Sequence, residues 1–299
     1  MTTDAVTVIY NPTAARGRAA RRIGVVNAAF DRFGLPHRLE PSRAAGGIET
    51  AVWQAAMGGA TRIIVAGGDG SVHEAANGLM RASRETALGV VPLGTGNDFA
   101  KACGIPQDAS DAAELLAERI RHGVPPRAID VGRMNGRYFV NGAGIGFDAR
   151  VSEIADGIRW PIGDLVYLAA VFRGLLEGCC TPPLTLEYNG VIRHGPLTLA
   201  SISNGPWVGG MFPIAPMARN DDGQFELVFA DPLGRLEVMA LLPSLLQGKH
   251  IGRKAIHHAA VTSCRIRAER PLASHLDGEN QPAASDFEIE LLAGALRLV

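Results

Sequence analysis

The sequence predicts an α/β chain: an N-terminal doubly wound, largely parallel α/β domain, followed by a C-terminal, mostly antiparallel β-rich domain. Three observations carry this. Short apolar strands alternate with helical stretches from Val6 to Arg121. Three turns, Asn11-Pro12, Gly67–Gly70 and Gly94–Asp98, fall at carboxyl ends of those strands, where open parallel sheets bind ligands. After Pro125-Pro126 the pattern changes to closely spaced short strands.

Val6–Tyr10 is β-branched and alternating, hence a strand, and Asn11-Pro12 ends it. Ala14–Phe33 is rich in Ala and Arg and reads as a helix; Arg16, Arg18, Arg21 and Arg22 form a basic face near its start. His37–Glu40 is a weak strand and Gly47–Met57 a helix. Within Thr61–Ala66, the run Ile63-Ile64-Val65-Ala66 has the unbroken apolar pattern of a strand buried on both faces. Ser71–Arg81 is the next helix, with Ser71 as expected N-cap and Glu74 completing a capping box. Leu88–Pro92 is a strand, followed by helices at Phe99–Cys103 and Asp111–Arg121.

Beyond that point Ala128–Val131 and Arg137–Asn141 form a hairpin on Asn135-Gly136, and Gly142–Asp148 is glycine-rich. Asp164–Glu177 has helical apolar spacing. Leu184–Tyr188, Gly195–Ser203, Phe225–Ala230, Ala260–Ala268 and Phe287–Leu292 read as strands, with a helix at Leu236–Leu246. The expected boundary lies near Arg133, giving domains 1–132 and 133–299. The last strand, near Ala295–Val299, is free to return to the first domain.

The 299 residues suffice for one large or two medium domains, and 47% hydrophobic with 20% charged residues is ordinary for a soluble globular protein. A net charge of −1 argues against a general nucleic-acid binder. Cys103, Cys179, Cys180 and Cys264 lack metal-site spacing and are expected as reduced thiols in a cytoplasmic protein. His257-His258 lacks a third ligand and reads as surface. MTTDAVTVIYNP has neither a basic n-region nor an apolar h-region, so no signal peptide is expected. No apolar run reaches membrane-spanning length, so any membrane contact is expected to be peripheral.

The stretch Ile63–Asn77, IIVAGGDGSVHEAAN, is the chemical centre. Strand, glycine turn and helix N-terminus aim free N–H groups and a positive dipole end at one point, an anion site. Asp69 within it would repel a bare phosphate unless a divalent cation or a donor intervenes. An ordinary βα turn with Asp as turn residue uses the same letters.

Gly67-Gly68-Asp69-Gly70-Ser71, then Pro92-Leu93-Gly94-Thr95-Gly96-Asn97-Asp98-Phe99-Ala100, then Asp277-Gly278-Glu279 occur in the order seen in diacylglycerol-kinase-type lipid kinases. That group includes the YegS-like and bacterial diacylglycerol kinases and the sphingosine and ceramide kinases. SNGPWVGGMFPIAPMARNDDG, Ser203–Gly223, also resembles the family's second domain, so the match covers nearly the whole chain. The resemblance implies phosphorylation of a lipid hydroxyl, diacylglycerol or a related lipid, with ATP and Mg²⁺ as cofactors, at a membrane surface. It implies that Gly67, Gly68, Asp69, Gly70, Ser71 and Glu74 bind the nucleotide with Asn11, Pro12, Gly94, Thr95 and Asn97. It implies that Asp69, Asp98 and Asp130 hold Mg²⁺ through water, and that Glu279 is the general base supported by Asp277. If extended, Asp277 and Glu279 leave the same strand face, and one carboxylate then raises the pKa of the other; an ordinary Asp-Gly turn in a β-domain fits the same residues. Arg219, Asp222 and Gln224 resemble a structural Mg²⁺ site, one carboxylate with backbone carbonyls; an ordinary Asp-Asp-Gly turn fits the same residues. Three positions depart from the pattern: Ala14-Ala15 where Ser-Gly is usual, Ser71 for the commoner Thr, and Met211 for a frequent Gly.

The reading is therefore a two-domain lipid kinase with ATP·Mg²⁺ on the α/β domain, lipid on the β-rich domain and chemistry in the cleft. Rivals are an NAD-kinase-like enzyme with a soluble acceptor and a nucleotide-binding regulator without catalysis. Leu236–Leu246, followed by Lys249, His250, Arg253 and Lys254, is an apolar segment with a cationic flank that suits an anionic bilayer surface, and Trp207, Met211 and Phe212 add an apolar loop. The same helix in the core is the alternative. A homodimer is compatible with the sequence, which carries no signal for oligomeric state.

Overall fold

The computed structural model describes residues 6–12, 18–42, 46–158, 165–178 and 181–299. Ala14-Ala15, Arg16, Gly17, Cys179 and Cys180 lie outside the described residues, as do the side chains of Arg18 and Arg21. The chain is mixed α/β and divides into two compact units, Met1–Asp130 with Gly294–Val299, and Val131–Ala293.

The first unit alternates β1 (Val6–Tyr10), α1 (Arg18–Arg32), β2 (His37–Pro41), α2 (Gly47–Met57), β3 (Arg62–Gly67), α3 (Asp69–Ala82), β4 (Ala87–Pro92), α4 (Asp98–Ala102) and α5 (Ala109–Arg121). Its strands run β4-β3-β1-β2, all parallel. Ile63, Ile64, Val65 and Ala66 are fully buried, as a central parallel strand covered on both faces requires. On one face, Val26 and Phe30 of α1 and Ala112, Ala113 and Leu116 of α5 pack with Val8, Ile64 and Val91. Asp108 caps α5 by accepting from the amides of Ser110 (2.8 Å) and Asp111 (3.3 Å), which starts that helix two residues before the sequence reading. The chain's end returns here: Arg297 and Leu298 pair in parallel with Ala87 and Leu88.

The second unit follows β5 (Arg127–Met134), which begins in the first. It contains β6 (Arg137–Phe139), β7 (Gly142–Gly146), α6 (Phe147–Gly157), α7 (Leu165–Glu177), β8 (Pro183–Tyr188), β9 (Val191–Pro196), β10 (Leu199–Ser203), β11 (Phe225–Ala230), α8 (Arg235–Leu246), β12 (Ile256–Val261), β13 (Ser263–Leu276) and most of β14 (Glu279–Leu298). The order β12-β11-β10-β7-β13-β14 is antiparallel throughout, with the β8–β9 hairpin added at β13. Phe139, Phe225 and Phe287 fill its core with Ile202, Leu227 and Ile266. Asn135 (φ 48°) and Gly136 (φ 86°) form the primed turn that an Asn-Gly hairpin demands.

Several boundaries differ from the sequence reading. Gly195–Ser203 is two strands, because the chain leaves β8 at Pro196 and joins β7 and β11 from Leu199. Ala260–Ala268 spans the junction of β12 and β13. Phe287–Leu292 and Ala295–Val299 belong to one strand, β14, of 20 residues. Its partner β13 has register shifts between Arg267 and Ser274, the irregularities by which so long a pair bends. The glycine-rich Gly142–Asp148 is a strand running directly into a helix.

Candidate active site

In the first unit, β3 ends at Gly67 and Gly68 is extended (φ −95°, ψ −168°), so α3 begins at Asp69. This corrects the expected N-cap: Ser71 lies buried within the first turn, and the N-cap residue is Gly68, which has no side chain to cap with. The expected capping box is therefore absent. The Glu74 carboxylate instead accepts from the amides of Gly46 (3.2 Å), Ile48 (2.9 Å) and Glu49 (3.3 Å), capping the neighbouring helix α2.

The turn after β4 meets the turn after β3 backbone to backbone. Leu93 N–H donates to the Gly67 carbonyl (2.8 Å), and a Cβ added to Gly94 would lie 2.5 Å from the Gly68 Cα. A Cβ on Gly67 would overlap the Ser71 hydroxyl. Only glycines permit this approach, and it sets the second turn beside the N-terminus of α3, where helix amides and dipole favour an anion. Asn97, left-handed at φ 51°, closes the second turn: its Oδ1 accepts from the Gly94 amide (3.0 Å) and its Nδ2 donates to the Gly94 carbonyl (3.2 Å). Thr95 is exposed on that turn, and Asn11 and Pro12 are half-buried after β1.

The Asp69 carboxylate accepts from the Phe99 amide (3.2 Å) at the start of α4. Asp98, buried, stands 3.5 Å from Lys101 Nζ, and buried Asp130 accepts from the Gly294 amide (2.7 Å). Among the described residues, no three His, Cys, Asp or Glu side chains converge to ligate a metal directly. The three carboxylates do offer the hard oxygen donors that suit a hydrated Mg²⁺.

In the second unit, Asp277 (φ 53°) and Gly278 (φ 87°) form a two-residue hairpin turn, and Leu276 pairs with Glu279. The expected extended segment with paired carboxylates is thereby corrected. The Asp277 carboxylate instead accepts from three consecutive amides, Val140 (3.0 Å), Asn141 (2.7 Å) and Gly142 (3.0 Å). Glu279 is exposed at the first position of β14.

The side chains around this turn were not read from the sequence. His275 is buried, with Nε2 3.2 Å from Asp148 Oδ2, and its Nδ1 accepts from the Gly278 amide (3.2 Å). Burial alone lowers the His275 pKa, but the carboxylates of Asp148, Asp277 and Asp156 outweigh it and raise it above the ordinary imidazole value. Burial raises the Asp156 pKa, against the opposing effects of Asn280 and His275. Arg219 pairs with Asp221, and Asp222 accepts from the Gln224 amide (3.2 Å) in an exposed turn.

Residues 5–133 match the model of the diacylglycerol kinase catalytic domain, and residues 142–299 match that of the YegS C-terminal NAD kinase beta sandwich-like domain. The chain belongs to the diacylglycerol kinase family of lipid kinases. It is 30% identical to the diacylglycerol kinase of Bacillus subtilis over 273 residues, 91% of this chain and 88% of that one. It is 33% identical to a probable YegS-like lipid kinase of Chromohalobacter salexigens over 251 residues, 82% and 78% of the two chains. A Bacillus anthracis crystal structure superimposes with a TM-score of 0.79 at 25% identity, covering 100% of this chain and 98% of its own. A diacylglycerol kinase structure from the same organism gives 0.72 at 23%, covering 100% and 97%. As a member of this family the chain is a phosphotransferase.

Within this lipid kinase, Asp148, Ser152 and Asp156 are the residues that the sequence reading lacked. Their four-residue spacing marks one face of α6 and was there to be read. The glycines before Phe147 concealed the start of the helix.

Proposed function

We propose that this chain transfers the terminal phosphoryl group of ATP to the hydroxyl of a lipid, diacylglycerol or a close relative. The observation that carries the reading is the approach of Gly68 to Gly94 beside Asp69, at the N-terminus of α3 in a lipid-kinase chain. In this reading the amides of Gly68, Gly70 and Ser71 hold phosphate oxygens. Gly67, Gly94 and Asn97 shape the two turns, and Asn11, Pro12 and Thr95 flank the nucleotide. Asp69, Asp98 and Asp130 would hold a hydrated Mg²⁺, which when bound would supply positive charge against the phosphates. Glu279 takes the hydroxyl proton as the lipid oxygen attacks phosphorus and ADP leaves. Glu74 and Asp277 act through backbone amides: Glu74 steadies α2 and Asp277 the hairpin. An ATP-turnover assay over diacylglycerols, other hydroxyl lipids and NAD tests this. Turnover with NAD alone would favour the NAD-kinase-like reading suggested by the second domain's description. No turnover with any acceptor, despite ATP binding, would favour a regulator.

Asp222 is the carboxylate proposed for a structural Mg²⁺, with carbonyls from Arg219 and Gln224. Asp222→Ala is expected to lower Tm, and added Mg²⁺ to raise Tm more in wild type than in the variant. Equal Mg²⁺ dependence of melting in both proteins leaves Asp222 as a turn residue.

Peripheral membrane contact is assigned to α7 and α8. No described helix is long and apolar enough to cross a membrane. Inward, Val238, Leu242 and Leu245 of α8 share a cluster with Val171 and Leu175 of α7. Outward, α8 exposes Leu236 (81%), Met239 and Leu246 along one face, and α7 exposes Leu165, Phe172 and Leu176 (78%). Each fully exposed Leu forgoes about 1.5–3 kcal/mol of burial, so apolar faces on both helices fit an apolar partner phase. Two sequence expectations change. His250 is buried against the Ile214 carbonyl (2.9 Å) and burial lowers its pKa, so it is no cation at neutral pH. Phe212 is buried in the α6–α7–α8 cluster, with Met211 against it, rather than exposed in a loop. Lys249, Arg253 and Lys254 remain exposed. Recruitment to vesicles is expected to rise with anionic lipid and fall with salt. Changing Lys249, Arg253 and Lys254 together to Gln should weaken recruitment while activity on detergent-dispersed lipid persists. Unchanged vesicle binding would assign the contact elsewhere.

A further inference from the structure

The hairpin turn at 277–278 is held from one side by a single helix face. Asp148, Ser152 and Asp156 are spaced four apart on α6, so they form one stripe. Each reaches a different residue of the hairpin. Asp148 Oδ2 lies 3.2 Å from His275 Nε2, Ser152 Oγ donates to the Gly278 carbonyl (2.8 Å), and Asp156 accepts from Asn280 Nδ2 (2.6 Å). His275 closes the set, because its Nδ1 accepts from the Gly278 amide (3.2 Å) and its proton therefore sits on Nε2, toward Asp148. Contacts at 275, 278 and 280 bracket Glu279.

The apolar face of α6 that adjoins the stripe explains why it stays in place. Phe147, Val151, Ile154 and Ala155 pack with Ala170, Val171 and Leu175 of α7 and Leu242 of α8. The helix is thus anchored by apolar burial, and its polar face is a fixed template. Gly144 completes the arrangement: a Cβ there would overlap both His275 Nε2 and Asp148 Oδ2, so the pair meets only across a glycine.

We infer that Asp148, Ser152, Asp156 and His275 are positioning residues that set the orientation of Glu279 by clamping its hairpin to α6. This rests on the assignment of Glu279 as general base. A base acts only within hydrogen-bond reach of the proton it takes, and misplacement by about 1 Å costs on the order of 10²-fold in rate.

The test is a double-mutant cycle with ATP and dioleoylglycerol in detergent micelles, together with hydrogen exchange of the full chain. Asp148→Ala and Ser152→Ala should each lower kcat by about 10- to 100-fold with KM for ATP unchanged. Asp148→Asn keeps an oxygen toward Nε2–H and should retain most of the rate. In a Glu279→Gln background neither alanine substitution should cost anything further, because there is no base left to position. Equal losses in both backgrounds would overturn the positioning role while leaving the base assignment standing. A Glu279→Gln enzyme at the wild-type rate would remove the base and this inference with it. Independently of turnover, Asp148→Ala and Gly144→Ala should speed amide exchange in the 275–280 segment while β10 and β11 keep their protection. Unchanged exchange there in both variants would also overturn the clamp.

Discussion

Asp69→Ala is expected to abolish turnover and leave the fold intact. The carboxylate stands at the first position of α3, where helix amides and dipole already favour phosphate, and where an acidic group makes sense only with a cation or donor between. Its carboxylate accepts a hydrogen bond from the Phe99 amide at 3.2 Å. Losing such a bond costs about 0.5–1.5 kcal/mol, against a typical total stability of about 5–15 kcal/mol. The helix behind it is held by Val72, Ala75, Ala76 and Leu79, all buried. Loss of activity should therefore appear without loss of the cooperative melting transition, measured by circular dichroism beside a coupled ADP assay. Activity within about tenfold of wild type, with Mg²⁺ still required, would take Asp69 out of the mechanism.

Glu279→Gln is expected to lower kcat by about 10²–10⁴-fold, the range for losing general base catalysis, with ATP affinity little changed. The substitution preserves shape at an exposed strand position directly after a two-residue turn, so neither pairing with Leu276 nor Tm should suffer. The separation of effects follows from the two units: the turns proposed to hold phosphate belong to Met1–Asp130, and Glu279 belongs to Val131–Ala293. Isothermal titration with a non-hydrolysable ATP analogue and steady-state kinetics on the same preparation would check it. A variant that loses nucleotide binding yet keeps its rate at saturation would contradict a base at this position.

The two sites were legible to different depths. The strand, glycine turn and helix at Ile63–Asn77 were readable because their signals are local: an apolar run, three glycines and a helix start within fifteen letters. Even there Ser71 and Glu74 misled, since a capping box and a mid-helix Glu that caps another helix have the same spelling. Asp277 shows the opposite case. Its Asp-Gly dipeptide favours a two-residue turn, and the turn formed; the same-face pairing with Glu279 assumed an extended chain instead. The glycines of β7 carried no reading from the sequence, because the need for Gly144 comes from a close approach of two side chains, His275 and Asp148.

By itself the sequence determined the class of fold, the parallel sense implied by alternating strands and helices, the glycine turns at strand ends and the Asn-Gly hairpin. Those features depend on φ/ψ preference and on periodicities of 2 and 3.6, which act over a few residues. Only the tertiary structure decided what the buried polar groups bond to. The amide of Val140 meets the carboxylate of Asp277 across 137 positions of chain, and Ser152 meets Gly278 across 126. Strand register and helix packing set those partners. A buried carboxylate or imidazole must then take whatever donors and charges the packed backbone brings to it, because in the interior an unpaired one costs more than any local preference can return.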